Sequence, residues 1–545
     1  MTSATTGSNR IVPGEGPAPR KRSRLLARLV GPAVTHWQFT LVVLAALVVR
    51  LVVVLGYPPI LWFNDSYNYV YDAVTHIPDQ VRPNGYPFFL DLLLPLHSLD
   101  PIGLLQAAMG IAIGVASYAL LRHRGLPWWG AALPTLPVLF DAYELHLEHM
   151  VTADPLFIFL VTIAVVMLCW SDRPSILVTA IAGLMIGYAS LVRSVGYPLL
   201  VLVLVSLLAR RVGWRRLATV LVAGVVPIVA YMFWFHGSTG KYALTESSGS
   251  FLYSRVSTFA ECSKMTLPAD LRYLCDPIPP KERPPAGEYI WADNDLPPST
   301  YTPLYNKLGS DTALRFGVKI NAQTELFAER AIEAQPVAYA RAVIHDIMHT
   351  FGWTRQPDPN DWYGNGPVFR FVSGPEVTAN IPWYATPRHL YGTPATAYCG
   401  ASCLKTDKQA RQIQTAERDF AGQGQGLGFA RAVRPWTRLL EIYQRYIYLP
   451  GTLLGIILLI GVAAVLARWR RWGGIGLLPW LVGALLIVLP PMTAGFSYRY
   501  MLAAVPTACL AAGLAFARGP GERSVGALTA DLRRHFDRGV TVEEE

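Results

Sequence analysis

Charge is scarce in this chain. Only 15% of its 545 residues are charged while 52% are hydrophobic, against roughly 25% charged in a soluble domain, which excludes an ordinary water-soluble protein. Acidic residues are the scarcer sign, 37 against 47 basic, leaving a net charge of +10. Cysteine is rare, with six residues in all. No small-residue cleavage site follows the first apolar run, and the polar tail of residues 1–37 is long for a secretory leader. That run is expected to persist as a helix.

Long apolar runs are what the chain has in abundance. Against the ~20 residues needed to cross a hydrocarbon core, spans are expected near 38–57, 101–121, 127–141, 154–170, 175–192, 195–209, 217–235, 447–467, 474–493 and 500–517. The fold class is then an all-α multi-spanning membrane protein of about ten helices, with a large mixed domain between the seventh and eighth. The stretch 176–208 is interrupted only by Arg193 and Pro198, so one kinked helix is an alternative to two.

Orientation follows from the basic residues. Arg20, Lys21, Arg22, Arg24 and Arg28 precede the first span. Arg122 and Arg124, then Arg173, then Arg210, Arg211, Arg215 and Arg216, then Arg468, Arg470 and Arg471 recur at alternate span ends. Positive residues are retained in the cytoplasm, so both termini are expected there. The basic excess is accounted for by this topology, and no nucleic-acid partner is expected. Membrane lipids are. The Gly-, Pro- and Ser-rich start and the charged tail 518–545 are expected to be disordered cytoplasmic tails.

Segments 58–100, 142–153 and 236–446 then face the exported side. The last is too long for a structureless loop, and its apolar positions from Leu314 to Phe351 recur at helical spacing, with Pro336 kinking the helix or starting a new one. Cys262, Cys275, Cys399 and Cys403 fall in this domain, and Cys169 and Cys509 in spans. Two disulfides, most simply Cys262 with Cys275 and Cys399 with Cys403, are favoured over zinc, because Cys399 and Cys403 have three residues between them rather than two.

Two acidic clusters sit at expected span ends. Phe63-Asn64-Asp65-Ser66-Tyr67 opens an aromatic loop that continues through Tyr69, Tyr71 and Asp72 to Arg82-Pro83-Asn84-Gly85-Tyr86-Pro87, which is either a solvated loop or the wall of an interfacial cavity. The second cluster is Asp141, Glu144, His146, Glu148, His149 and Asp154. Helical spacing puts Asp141, Glu144 and Glu148 on one face. Glu148 and His149 are metal candidates, although their spacing matches no zinc motif. Asp154, followed by Pro155, caps a helix or serves a site. Arg193 and Arg499 at span ends either snorkel to headgroups or hold a phosphate.

These landmarks, in this order, resemble the polytopic GT-C class of glycosyltransferases, especially bacterial members that use polyprenyl-phosphate sugars, such as protein mannosyltransferases and aminoarabinose transferases. Asp65 with Tyr69 is similar to the first-loop acidic motif, and Asn84-Gly85-Tyr86-Pro87 to the turn that follows it. Thr152-Ala153-Asp154-Pro155-Leu156-Phe157 is similar to an acidic-Pro-Leu-Phe helix start, where Glu is commoner. Leu191 to Gly196, and Arg499-Tyr500 with Pro506, resemble two further landmarks. The resemblance covers 38–235 and 447–517. Ser66 stands where some relatives carry a second acid, which puts their paired-carboxylate metal site in doubt.

The resemblance implies a GT-C-like fold in a bacterial plasma membrane and a sugar donor linked through phosphate to an isoprenoid. The acceptor hydroxyl would belong to a glycan, lipid or protein. Asp65 would be the base, and Arg193 and Arg499 would stabilise the leaving phosphate. Glu148, Asp154, Tyr69, Arg82, Tyr86 and Tyr500 would bind substrate. No cofactor is required, though a divalent metal stays open. The alternatives are a lipid-linked-sugar flippase, disfavoured by the few charges inside the expected spans, and a non-catalytic envelope assembly protein.

Overall fold

A computed structural model describes residues 35–291, 302–308, 312–355, 371, 412, 415, 416, 418–421, 430–467 and 474–517. Among them the regular elements are all helical, and the extended pairing is one parallel bridge between Leu61 and Met150. The helices used below are α1 (Trp37–Gly56), α2 (Asn64–Thr75), α3 (Gly85–Asp91), α4 (Asp100–His123), α5 (Ala142–Glu148), α6 (Asp154–Trp170), α7 (Ile176–Val192), α8 (Tyr197–Ala209) and α9 (Trp214–Thr239). After these come α10 (Ser248–Ser257), α11 (Val318–Ala334), α12 (Pro336–His349), α13 (Trp436–Tyr446), α14 (Gly451–Ala467), α15 (Leu477–Thr493), α16 (Tyr498–Leu502) and α17 (Val505–Leu514).

Among the described residues, four helices are long and apolar enough to cross a membrane: Trp37–Gly56, Asp100–His123, Trp214–Thr239 and Gly474–Thr493. Counting the pair α13 and α14, bent by 53°, as one makes five. This is fewer than the ten expected, and the reason is local. Pro134 and Pro137 cut 127–141 into the short helices Trp128–Ala132 and Leu136–Phe140 around a 3₁₀ turn. α6 and α7 have 17 residues each, about 25 Å of helix against a core of about 30 Å. The expected last span divides into α16 and α17 before Pro506. The alternative of one helix over 176–208 is not what forms, because α7 ends at Val192 and a 3₁₀ turn at Ser194–Gly196 precedes α8.

Small residues set the tightest crossing. A Cβ on Gly183 or Gly187 of α7 would collide with the Val220 or Gly224 carbonyl of α9, so the glycines let the two backbones touch. One apolar core runs through the helical body. A second, around Tyr253, Val256, Phe327, Ala328 and Ala331, belongs to the long insertion. There Pro336 starts α12 as a new helix, and Cys262 and Cys275 form a disulfide. Cys169 and Cys509 are free and buried. Cys399 and Cys403, the tails 1–34 and 518–545, and Arg468, Arg470 and Arg471 lie outside the described residues.

Candidate active site

The chain folds so that the ends of α1, α7 and α9 and the starts of α4, α6 and α17 meet at one end of the helical body. The segments leading into α2 and α6 are sewn together there. Leu61 N–H donates to the His149 carbonyl at 2.9 Å and Val151 N–H to the Leu61 carbonyl at 3.0 Å. Ser66 locks the entry to α2. Its hydroxyl accepts from Phe63 N–H at 2.8 Å and donates to the Val151 carbonyl at 2.6 Å. The residue that departs from the acidic-pair pattern therefore has a structural task. Its neighbour Asp65 sits in the first turn of α2, where the helix dipole favours a carboxylate.

Asn84 closes the next loop. It accepts from Asp79 N–H at 3.0 Å and Tyr231 O–H at 3.2 Å, and donates to the Ile77 carbonyl at 3.0 Å. Gly85 then presses on the end of α7, where a Cβ would lie 2.4 to 2.6 Å from Leu191 and Val192 backbone atoms. Only glycine admits this approach. Tyr188 O–H donates to the Gly85 carbonyl at 2.8 Å. The turn thus carries Arg82 on one side and rests beside Arg193 on the other.

The charged groups converge in one network. Asp65 accepts from Arg82 at 2.7 Å through Oδ1 and from Arg499 at 3.0 Å through Oδ2. Asp154 pairs with Arg193, lies 3.7 Å from Arg499 Nε, and accepts from the Thr152 hydroxyl at 2.6 Å. Asp79 lies 3.7 Å from Arg82. Aromatic rings face the guanidinium groups: Tyr500 under Arg193 at 4.7 Å and under Arg499 at 5.3 Å, Phe63 under Arg499 at 5.0 Å, and Trp291 under Arg82 at 5.7 Å. Tyr69 meets Tyr86 edge to face at 5.1 Å, and Tyr86 O–H donates to Gln106 Oε1 at 2.7 Å. Asp65 and Asp154 are deeper than the arginines: the Asp154 side chain is 2% exposed, those of Arg82 and Arg193 18%.

Burial alone would raise the Asp65 carboxyl, but Arg82 and Arg499 outweigh it and hold the group below the usual carboxylate range. Burial and then the Asp65 charge push the Tyr69 phenol up, so it stays a neutral donor. Asp65, Asp79 and Asp154 thus stand opposite Arg82, Arg193 and Arg499, three carboxyl groups against three guanidinium groups.

Asp65, Tyr69, Arg82, Tyr86, Asp154, Arg193, Arg499 and Tyr500, all singled out in the sequence, are brought together here. Glu148 is not. Its carboxylate is held by Arg50 of α1 in a two-point contact, Nε to Oε2 at 2.8 Å and Nη2 to Oε1 at 2.7 Å. His149 Nε2 donates to the Tyr57 carbonyl at 2.9 Å. Burial pushes His149 down to about 4 and His146 to about 3, so both rings are neutral. Among the described residues no three His, Cys, Asp or Glu side chains gather around a metal position. Asp154 does not cap α6, since it is the first residue of that helix and the residue before it, Ala153, makes no side-chain cap. Asp141 caps α5 instead, accepting from Tyr143 and Glu144 N–H. Sequence reasoning missed Arg50, Gln106 and Trp291. Arg50, a lone charge inside a 20-residue apolar helix, could have been found by the partner such a charge demands.

Compared with family models, curated proteins and solved structures, the chain matches none.

Proposed function

We propose that this protein is a membrane glycosyltransferase of GT-C type that moves a sugar from a polyprenyl-phosphate donor to an acceptor hydroxyl on the exported side of the membrane. The observation that carries this reading is Asp65 held between Arg82 and Arg499, with Arg193 and Asp154 alongside, where several apolar helices end together. Three arginines over aromatic rings form a cradle for phosphate, which guanidinium groups bind at two points.

The reaction fits this charge pattern. The acceptor oxygen attacks the anomeric carbon, the bond from that carbon to the phosphate oxygen breaks, and the lipid phosphate leaves with the electron pair. Asp65 takes the hydroxyl proton. A phosphodiester with one negative charge becomes a monoester carrying about −1.5 to −2. The arginines thus gain interaction energy as the reaction advances, which is what accelerates a step. A phosphate drawn to Arg82 and Arg499 also loosens their hold on Asp65, so its carboxyl returns toward a useful basicity once donor is bound. A single displacement inverts the anomeric carbon.

The test is transfer from a panel of polyprenyl-phosphate sugars by purified protein in liposomes. Turnover of one donor, lost in Arg193→Gln and Arg499→Gln, supports the reading. Donor movement across the bilayer without cleavage would replace it with a flippase.

A further inference from the structure

Two helices outside the candidate site carry apolar faces that no part of the described chain covers. On α12, Val337, Ile344 and Met348 are 71%, 58% and 60% exposed and fall on one stripe, edged by exposed Arg341 and His345. On α13, Leu439, Ile442 and Tyr446 are 50%, 44% and 77% exposed, edged by exposed Arg438 and Arg445. Each helix turns a different face inward. Asp346 of α12 binds Arg255 at 2.9 Å and Phe496 N–H at 3.2 Å, and Thr437 and Leu440 of α13 are buried.

Both helices are fastened to the ends of apolar helices. Tyr339 O–H of α12 donates to the Met492 carbonyl in the last turn of α15 at 2.9 Å. The chain leaving α12 lies on the first turn of α14, where Thr452 O–H donates to the Phe351 carbonyl at 2.8 Å and a Cβ on Gly451 would strike the Thr350 carbonyl. α13 packs on Gly56, the last residue of α1, and bends by 53° into α14. The neighbouring α14 also exposes apolar side chains, among them Leu453, Ile456 and Leu459.

We infer that α12 and α13 lie in the surface of the bilayer, apolar stripes among the acyl chains and Arg341, Arg438 and Arg445 against anionic phospholipid headgroups. An amphipathic helix with basic edges, set at the depth where a span ends and bent away from it, has that surface as its low-energy position. Glu441 is the acidic side chain on this edge of α13, and it is already paired with Arg438 at 2.9 Å, so the edge stays net positive. This placement is independent of the proposed reaction. It does tie the membrane surface to the segment 493–499 that presents Arg499.

The full chain in liposomes of phosphatidylcholine with phosphatidylglycerol, doped with a phospholipid bearing a diazirine high on its acyl chain, is irradiated and the adducts are mapped by mass spectrometry. Adducts on Val337, Ile344, Met348, Leu439, Ile442 and Tyr446, alongside those on Leu459 as internal control, are expected. Adducts on Leu459 alone overturn the inference, as do cross-links between α12 or α13 of two copies with those positions unlabelled. For the headgroup contact, the variant Arg341→Gln/Arg438→Gln/Arg445→Gln is expected to retain phosphatidylglycerol more weakly by roughly fivefold per arginine removed. Unchanged retention by a variant that elutes like the wild type overturns it.

Discussion

Replacing Glu148 by glutamine tests whether this carboxylate serves the fold or a substrate. Both its oxygens contact Arg50 at 2.7 and 2.8 Å, and Arg50 Nη1 donates further to the Leu139 carbonyl at 2.9 Å. Opposite charges at that separation attract by about 6 kcal/mol at an effective dielectric constant near 20. Desolvation offsets much of this, so the pair adds little over an apolar replacement, while breaking it strands a buried arginine at a cost of about 3–5 kcal/mol. Glu148→Gln should therefore unfold more easily by about that amount, and Arg50→Met with Glu148→Met together should recover most of the loss. Equilibrium unfolding in mixed micelles, followed by helical circular dichroism, reads this coupling. Sugar transfer normalised to folded protein should stay near the wild-type value. Unchanged stability with transfer abolished would refute the structural role and return Glu148 to the substrate.

Three further outcomes follow from the same geometry. Burial raises the Asp65 carboxyl and Arg82 lowers it, so Arg82→Gln should move the acid limb of the kcat/KM profile to higher pH, and superimposable profiles would contradict the pairing. His146 and His149 are held neutral, at about 3 and about 4, whereas the unfolded chain protonates near 6.5. Their stabilising effect is complete above that pH and is lost as pH falls toward 4, by up to about 1.4 kcal/mol per pH unit for each histidine, so unfolding midpoints at pH 7 and pH 5 should differ. Gly85→Ala should cost about 1–3 kcal/mol and reduce transfer, because its Cβ meets the Leu191 and Val192 backbone. Gly237→Ala, where a Cβ meets nothing within 4 Å, should be silent in both.

The candidate site was legible because its residues obey a local rule: a carboxylate or arginine placed where an apolar run stops. Asp65, Asp154, Arg193 and Arg499 all carry that mark, and the structure joins them although up to 434 positions separate the partners. The Glu148 carboxylate carries the same mark and belongs elsewhere, since which side of α5 it leaves from is decided by Arg50 on a helix far upstream. Helical character was legible from apolar runs, while the number of spans was not. Pro134 and Pro137 divide a stretch that composition alone counts as one complete helix. Cys262 with Cys275 was readable from its short loop, whereas the second proposed pair lies outside the described residues.

Asp65 is the claim on which the functional reading stands. Transfer from a polyprenyl-phosphate sugar by the wild type and by Asp65→Asn, prepared identically and compared in single turnover, tests it most directly. The account predicts that the variant folds and binds donor yet transfers about 10²- to 10⁴-fold more slowly, the loss expected of a general base. Transfer at the wild-type rate would contradict it.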